Sequence, residues 1–186
     1  MPIEKWRTNR SELVLDNRWA KVRKDVCELP GGQVIDDYYY WEGSDFAQIF
    51  ALTEDNRVPL VRQYKHGVRE VTLELPAGLL SPPEAPIDCA RRELLEETGY
   101  AATDWQALGT LNVSSAKAST KAHLFLALGA SLVAKQRLDA TEDIEIMVLS
   151  IRDVLELLAN GEIRDTSSLA TTLLALQHLG YLSLNR

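Results

Sequence analysis

The 186-residue sequence is 46% apolar, enough for one domain with a sizeable core, or for one domain with a small annex. Its formal net charge of −7 excludes a general attraction to nucleic acid or to an anionic membrane surface, so neither is expected as a partner. The polar start "MPIEKWRTNR" lacks an apolar leader core, no apolar run is long enough to span a bilayer, and Cys27 and Cys89 form no CxxC pair; a cytoplasmic protein with reduced thiols is expected.

In chain order, the first 45 residues read as short strands and turns. "ELVLDNRWAKVRKDVCEL" mixes β-branched and aromatic residues, "PGG" at Pro30 to Gly32 signals a turn, and "VIDDYYYWEG" reads as a strand with an aromatic cluster. "FAQIFALTEDNRVPLVRQYKHG" predicts a further strand pair, with its turn at Thr53 to Arg57. In "EVTLELPAG", Val71, Leu73 and Leu75 alternate with Glu70, Thr72 and Glu74, the period of a strand with one buried face.

A helix follows over Ile87 to Thr98, with Pro86 suited to its first turn and Gly99 to its end. "WQALGTLNVSSAKASTKAHLFLALGA" reads as strand, polar loop, strand, and "EIMVLSI" as another strand. Two helices close the chain, each stopped by a glycine. This order favours a mixed sheet between helices over an all-β sandwich or a doubly wound parallel fold.

The middle helix carries the chemistry. Ile87, Ala90 and Leu94 supply its core-facing stripe, while Glu93, Glu96 and Glu97 share a narrow arc at about 100° per residue. Like charges three and four apart destabilise a helix by a few tenths of a kcal/mol per pair. An exposed acidic face would tolerate that. Converging oxygen ligands for a hard divalent cation such as Mg²⁺ or Mn²⁺ would reverse it.

Gly78, five residues, Glu84, seven residues, Arg92-Glu93-Leu94, Glu96-Glu97 and Gly99-Tyr100 together resemble the Nudix box without a mismatch. The resemblance implies a Nudix fold: an α/β class with a mixed β-sheet in an α/β/α sandwich, here preceded by an N-terminal β-strand unit. It also implies hydrolysis of a diphosphate linked to another moiety, with Mg²⁺ or Mn²⁺ as cofactor. By the same resemblance, Glu93, Glu97 and Glu96, with the main-chain carbonyl of Ala77, are expected to ligate metal. Arg92 is expected to orient the glutamates, Glu84 to fix the loop and helix geometry, and Gly78 to make a tight turn through its freedom at positive φ. Glu142, in "LDATEDIEIMVL", occupies the place of a catalytic glutamate, and Glu142, Asp139 and Glu96 are the alternatives for general base.

The likeness runs from Phe46 to Ser168 and is to ADP-ribose and nucleotide-sugar pyrophosphatases. It implies a small-molecule nucleoside diphosphate derivative as substrate and a homodimer as the assembly. The expected division is a β unit over 1–45, serving dimerisation and the substrate pocket, and a hydrolase domain over 46–186. Arg62, Gln63 and Lys65 are candidates for phosphate or ribose contacts, although arginine more often stands where Lys65 does. Trp19 and Tyr40, with Tyr38, Tyr39 and Trp41, are candidates for stacking on a base. The loop "NVSSAKAST" lacks the proline common in ADP-ribose-selective members, which keeps GDP-mannose and other nucleotide sugars in play. A nucleotide sensor without turnover is the alternative from a different class.

Overall fold

The computed structural model describes residues 2–182. These form two compact units: the residues up to Ser44 with Asn112–Lys121, and the residues from Asp45 to Leu111 with those from Ala122 on.

The first unit is an antiparallel meander of β1 (Arg7–Asp16), β2 (Lys21–Glu28) and β3 (Val34–Trp41). A turn inside the first predicted segment divides it, because the amides of Trp19 and Ala20 donate to Asn17 Oδ1 at 2.9 and 3.0 Å. The loop 112–121 lies along β3. There the Trp41 amide donates to Lys117 O, the Ser119 amide donates to Trp41 O, and Tyr38 Oη donates to Ala116 O at 2.6 Å.

In the second unit, β4 (Phe46–Thr53) is buried over nearly its whole length. It pairs in parallel with β10 (Lys121–Leu132) and antiparallel with β7 (Ala77–Leu79). The short β8 (Tyr100–Ala101) and β9 (Asp104–Asn112) join β10. A separate antiparallel sheet takes the order β11 (Ile144–Ser150), β5 (Arg57–Lys65), β6 (Glu70–Glu74).

The strand pair expected across Thr53 to Arg57 therefore does not form. The turn is present, with Asn56 at φ 58°, but β4 and β5 enter different sheets. The reason is burial on both faces of β4. Ala47, Ile49 and Ala51 pack with Cys89, Ala90 and Leu94 of α1 (Pro86–Thr98). On the other face, Phe50 and Leu52 pack with Leu60, Val154 of α2 (Ile151–Ala159) and Leu176 of α3 (Thr166–His178). A strand apolar on both faces is stable only between two layers, and β10 and β7 are the neighbours that keep it there. The second unit is thus a helix–sheet–helix sandwich. The alternation around β6 holds only in part, since Leu75 is buried just past the strand while Val71 is exposed.

Candidate active site

The box helix begins at Pro86 and stops at Gly99, which adopts φ 73° and whose amide donates to Leu95 O. No side chain fits there, because a Cβ on Gly99 would lie 2.2 Å from Ala134 O. Leu94, buried against β4, sets the helix rotation and so aims Glu93 and Glu97 toward the start of β7.

Two contacts define that meeting. Glu97, only 4% exposed, accepts from the Ala77 amide at 2.9 Å. The Glu93 carboxylate fills the space where Gly78 would carry a side chain; a Cβ there would lie 1.9 Å from Glu93 Oε1. Gly78 neither makes the expected tight turn nor has a positive φ; it lies within β7, paired with Ala47. Close approach, not backbone freedom, requires glycine at this position.

Burial raises the carboxyl of Glu97 to about 8, opposed by the Ala77 N–H and reinforced by the charges of Glu93 and Glu142. Glu93 is also raised, by burial first, despite its ion pair with Arg92 at 2.5 Å. Desolvation therefore outweighs the guanidinium at this carboxylate.

Arg92 organises the rest. Its Nε and Nη2 donate to Glu84 at 2.9 Å each, its Nη1 to Glu93 at 2.5 Å and to Glu96 at 3.1 Å, and its Nη2 to Leu79 O at 3.2 Å. Only a planar fork of five donors could serve so many acceptors. The hydrogen bond from Arg92 lowers the Glu84 carboxyl, which also accepts from the Ser81 amide. Glu96 is lowered as well, first by its hydrogen bond from Arg137.

Among the described residues no three His, Cys, Asp or Glu side chains form a ready-made metal cage. Glu93 and Glu97 both abut Ala77 and Gly78 at the start of β7, whereas Glu96 is engaged by two guanidinium groups. The donor set still fits a hard cation. It offers a buried carboxylate with an amide as its hydrogen-bond partner, a second carboxylate in a cradle that a Cβ would fill, and oxygen ligands throughout.

An open cleft of about 830 Å³ adjoins β7, walled by Ala77, Gly78, Gln48, Lys65, Glu74 and Arg164. Lys65 faces Glu74 across 3.4 Å, and its charge acts favourably on Glu97. Of the other substrate candidates, Arg62 is paired with Glu145 at 2.5 Å and Gln63 donates weakly to Glu74 at 3.4 Å. Glu142 accepts from the Asp139 amide at 2.9 Å, and its charge is felt at both Glu93 and Glu97.

Trp19 and Tyr40 lie in the first unit. Trp19 is exposed beneath the Arg18 guanidinium at 4.4 Å, and Tyr40 lines a small hollow of about 220 Å³ with Tyr38 and residues 115–119. Arg137, Gln48 and Ser168 escaped the sequence reading. Arg137 belongs to no motif, but Gln48 interrupts the apolar run "FAQIFAL", and that interruption was a readable signal.

Comparisons with known proteins identify the family. The family model for the NUDIX domain matches residues 46–170, and that for the nucleoside diphosphate sugar hydrolase N-terminal domain matches residues 6–41. An ADP-ribose pyrophosphatase of Bacillus subtilis is 33% identical over 174 residues, covering 93% of this chain and 91% of the relative. A GDP-mannose pyrophosphatase of Cronobacter sakazakii is 32% identical over 148 residues, covering 75% of each. The crystal structure of an ADP compounds hydrolase superposes with a TM-score of 0.84 at 21% identity, covering 98% of this chain and 100% of its own. With a domain match over two thirds of its length and the carboxylate helix docked on Ala77 and Gly78 of β7, the chain belongs to the NUDIX family of hydrolases.

Proposed function

We propose that the chain hydrolyses the diphosphate of ADP-ribose or a related nucleoside diphosphate sugar, giving a nucleoside monophosphate and a sugar phosphate. The observation that carries the reading is the seating of Glu93 and Glu97 on Ala77 and Gly78 of β7, beside a cleft that holds Lys65. The ADP-ribose and GDP-mannose pyrophosphatases among its relatives support the substrate class.

Glu93, Glu97 and the Ala77 carbonyl are the proposed ligands of Mg²⁺ or Mn²⁺, with Glu96 beside them. When bound, the cation neutralises phosphate charge and lowers the pKa of water. Lys65 offers a point charge to a phosphate oxygen, without the bidentate fork of arginine. Arg92 holds Glu84, Glu93 and Glu96 in place, so that the carboxylates need not reorganise during turnover.

Glu142 is the proposed general base. It takes a proton from water as the oxygen attacks phosphorus and the bridging P–O bond breaks toward the leaving phosphate. Glu96 is less suited to this role, since two guanidinium groups hold its carboxyl below the usual range.

Trp19 and Tyr40 are proposed base contacts, which a raised KM in Trp19→Ala would support. A homodimer is proposed through the first unit. There β1 is exposed along all ten residues and presents Leu13, Val14 and Leu15 on an edge strand. Sedimentation of the full chain as a monomer would refute that assembly. Two buried free thiols suit a reducing compartment, and the cytoplasm is proposed. No helix among the described residues is long and apolar enough to cross a membrane.

The test is a panel of ADP-ribose, GDP-mannose, UDP-glucose, NADH and nucleoside triphosphates with Mg²⁺, wild type against Glu97→Gln. The glutamine keeps an oxygen for the Ala77 amide, so the fold is expected to survive while turnover falls about a thousandfold or more. Unchanged turnover in Glu97→Gln would refute the assignment. Tight binding of one compound without hydrolysis would identify a sensor instead.

A further inference from the structure

The chain crosses from one sheet to another between β6, which ends at Glu74, and β7, which begins at Ala77. Leu75 lies in that crossing and is 1% exposed. Its amide and carbonyl have left the β5–β6 ladder and have not joined the pairing of β4 with β7, whose innermost pair is Gln48 with Ala77. Buried backbone groups need partners, and two distant side chains supply them here. The Leu75 amide donates to Ser168 Oγ at 3.1 Å, and Gln48 Nε2 donates to Leu75 O at 2.8 Å. Gln48 Nε2 also donates to Ser168 Oγ at 3.0 Å, which closes the triangle. Both side chains are buried, Gln48 at 2% exposure and Ser168 at 0%. Beyond Leu75, the Pro76 carbonyl accepts from the Ile49 amide at 3.0 Å, and the next residue is Ala77, whose amide holds Glu97.

We infer that Gln48 and Ser168 are positioning residues. They clamp Leu75 so that the Ala77 amide and the Gly78 cradle present fixed seats to Glu97 and Glu93. Neither side chain is among those touching the two carboxylates. Their effect passes through two residues of backbone, from a strand and a helix that meet at Leu75. The inference rests on the proposed role of Glu93 and Glu97 as metal-holding carboxylates.

Ser168→Ala removes the acceptor of the Leu75 amide, Gln48→Met removes its partner at the carbonyl, and Ser168→Thr restores the hydroxyl. Three quantities are measured: Mn²⁺ affinity by calorimetry, kcat and KM on the substrate found in the panel, and amide hydrogen exchange at Leu75 and Ala77. Ser168→Ala and Gln48→Met are expected to weaken Mn²⁺ binding and to lower kcat about ten- to hundredfold, with KM little changed, and Ser168→Thr to recover most of both. Leu176→Ala, a core truncation in the same helix as Ser168, should lower Tm yet leave Mn²⁺ affinity and kcat intact.

Wild-type affinity and kcat in folded Ser168→Ala and Gln48→Met would overturn the inference. So would rapid exchange of the Leu75 amide in the unmodified protein, a measurement that stands even if neither variant folds. If the wild type hydrolyses no diphosphate but Ser168→Ala still weakens Mn²⁺ binding, the proposed function falls and the clamp survives. If turnover is normal in all variants, the clamp falls and the function survives.

Discussion

Gly78→Ala tests the contact on which the site depends. An added Cβ would lie 1.9 Å from Oε1 and Cδ of Glu93 and 2.4 Å from Oε2. Regaining an ordinary contact of about 3.5 Å moves that carboxylate by about 1.6 Å. The backbone itself has no reason to resist. Gly78 needs no left-handed conformation and lies in the edge strand β7, so folding stability should change little. Displacement of a catalytic group by about 1 Å can cost about a hundredfold in rate, equivalent to about 2.7 kcal/mol of activation free energy. The assay is kcat for release of nucleoside monophosphate at saturating substrate and Mg²⁺, with Tm measured in parallel. Gly31→Ala is the control, because a Cβ there meets nothing within 4 Å. A Gly78→Ala enzyme with wild-type turnover would refute the reasoning, and so would one that fails to fold.

Two further predictions concern other parts of the chain. Arg92→Lys keeps the charge but cannot span Glu84, Glu93, Glu96 and Leu79 O at once; turnover is expected to fall about ten- to hundredfold, and an unchanged kcat would contradict the orienting role. At the start of α2, Asp153 and Ser150 form a capping box, and the Ser150 hydroxyl and amide hold the Asp153 carboxyl below its ordinary value. A depressed carboxyl stabilises the fold above the unfolded pKa and loses that contribution as pH falls through the folded one. Asp153→Asn should therefore lower Tm at neutral pH without affecting kcat, and the Tm gap should begin to narrow at about pH 4 and close only once pH has fallen through the lowered folded pKa. A gap that does not narrow as pH falls from about 4 toward about 2 would rule out the ionised cap as its source.

The box helix was legible because everything it needs is local. Pro86, the apolar stripe at Ile87, Ala90 and Leu94, and Gly99 lie within one short segment, and helical periodicity alone places Glu93, Glu96 and Glu97 together. The role of Gly78 was read for the wrong reason, since close approach to Glu93 depends on a helix that begins eight residues later. The turn at Thr53 to Arg57 was visible, but the partners of its flanking strands were not. A turn reports a change of direction, whereas pairing depends on which layers cover each face of β4.

By itself the sequence determined the family pattern, the placement of three carboxylates on one helix face, and the sandwich class, because these follow from spacing along the chain. Only the tertiary structure decided which carboxylates meet Ala77 and Gly78, that Arg137 joins Arg92 on Glu96, and that Gln48 and Ser168 hold Leu75. Ser168 follows Gln48 by 120 positions, and Arg137 follows Glu96 by 41. Contacts at such separations are set by the burial of whole layers, and no short-range pattern in a single sequence encodes them.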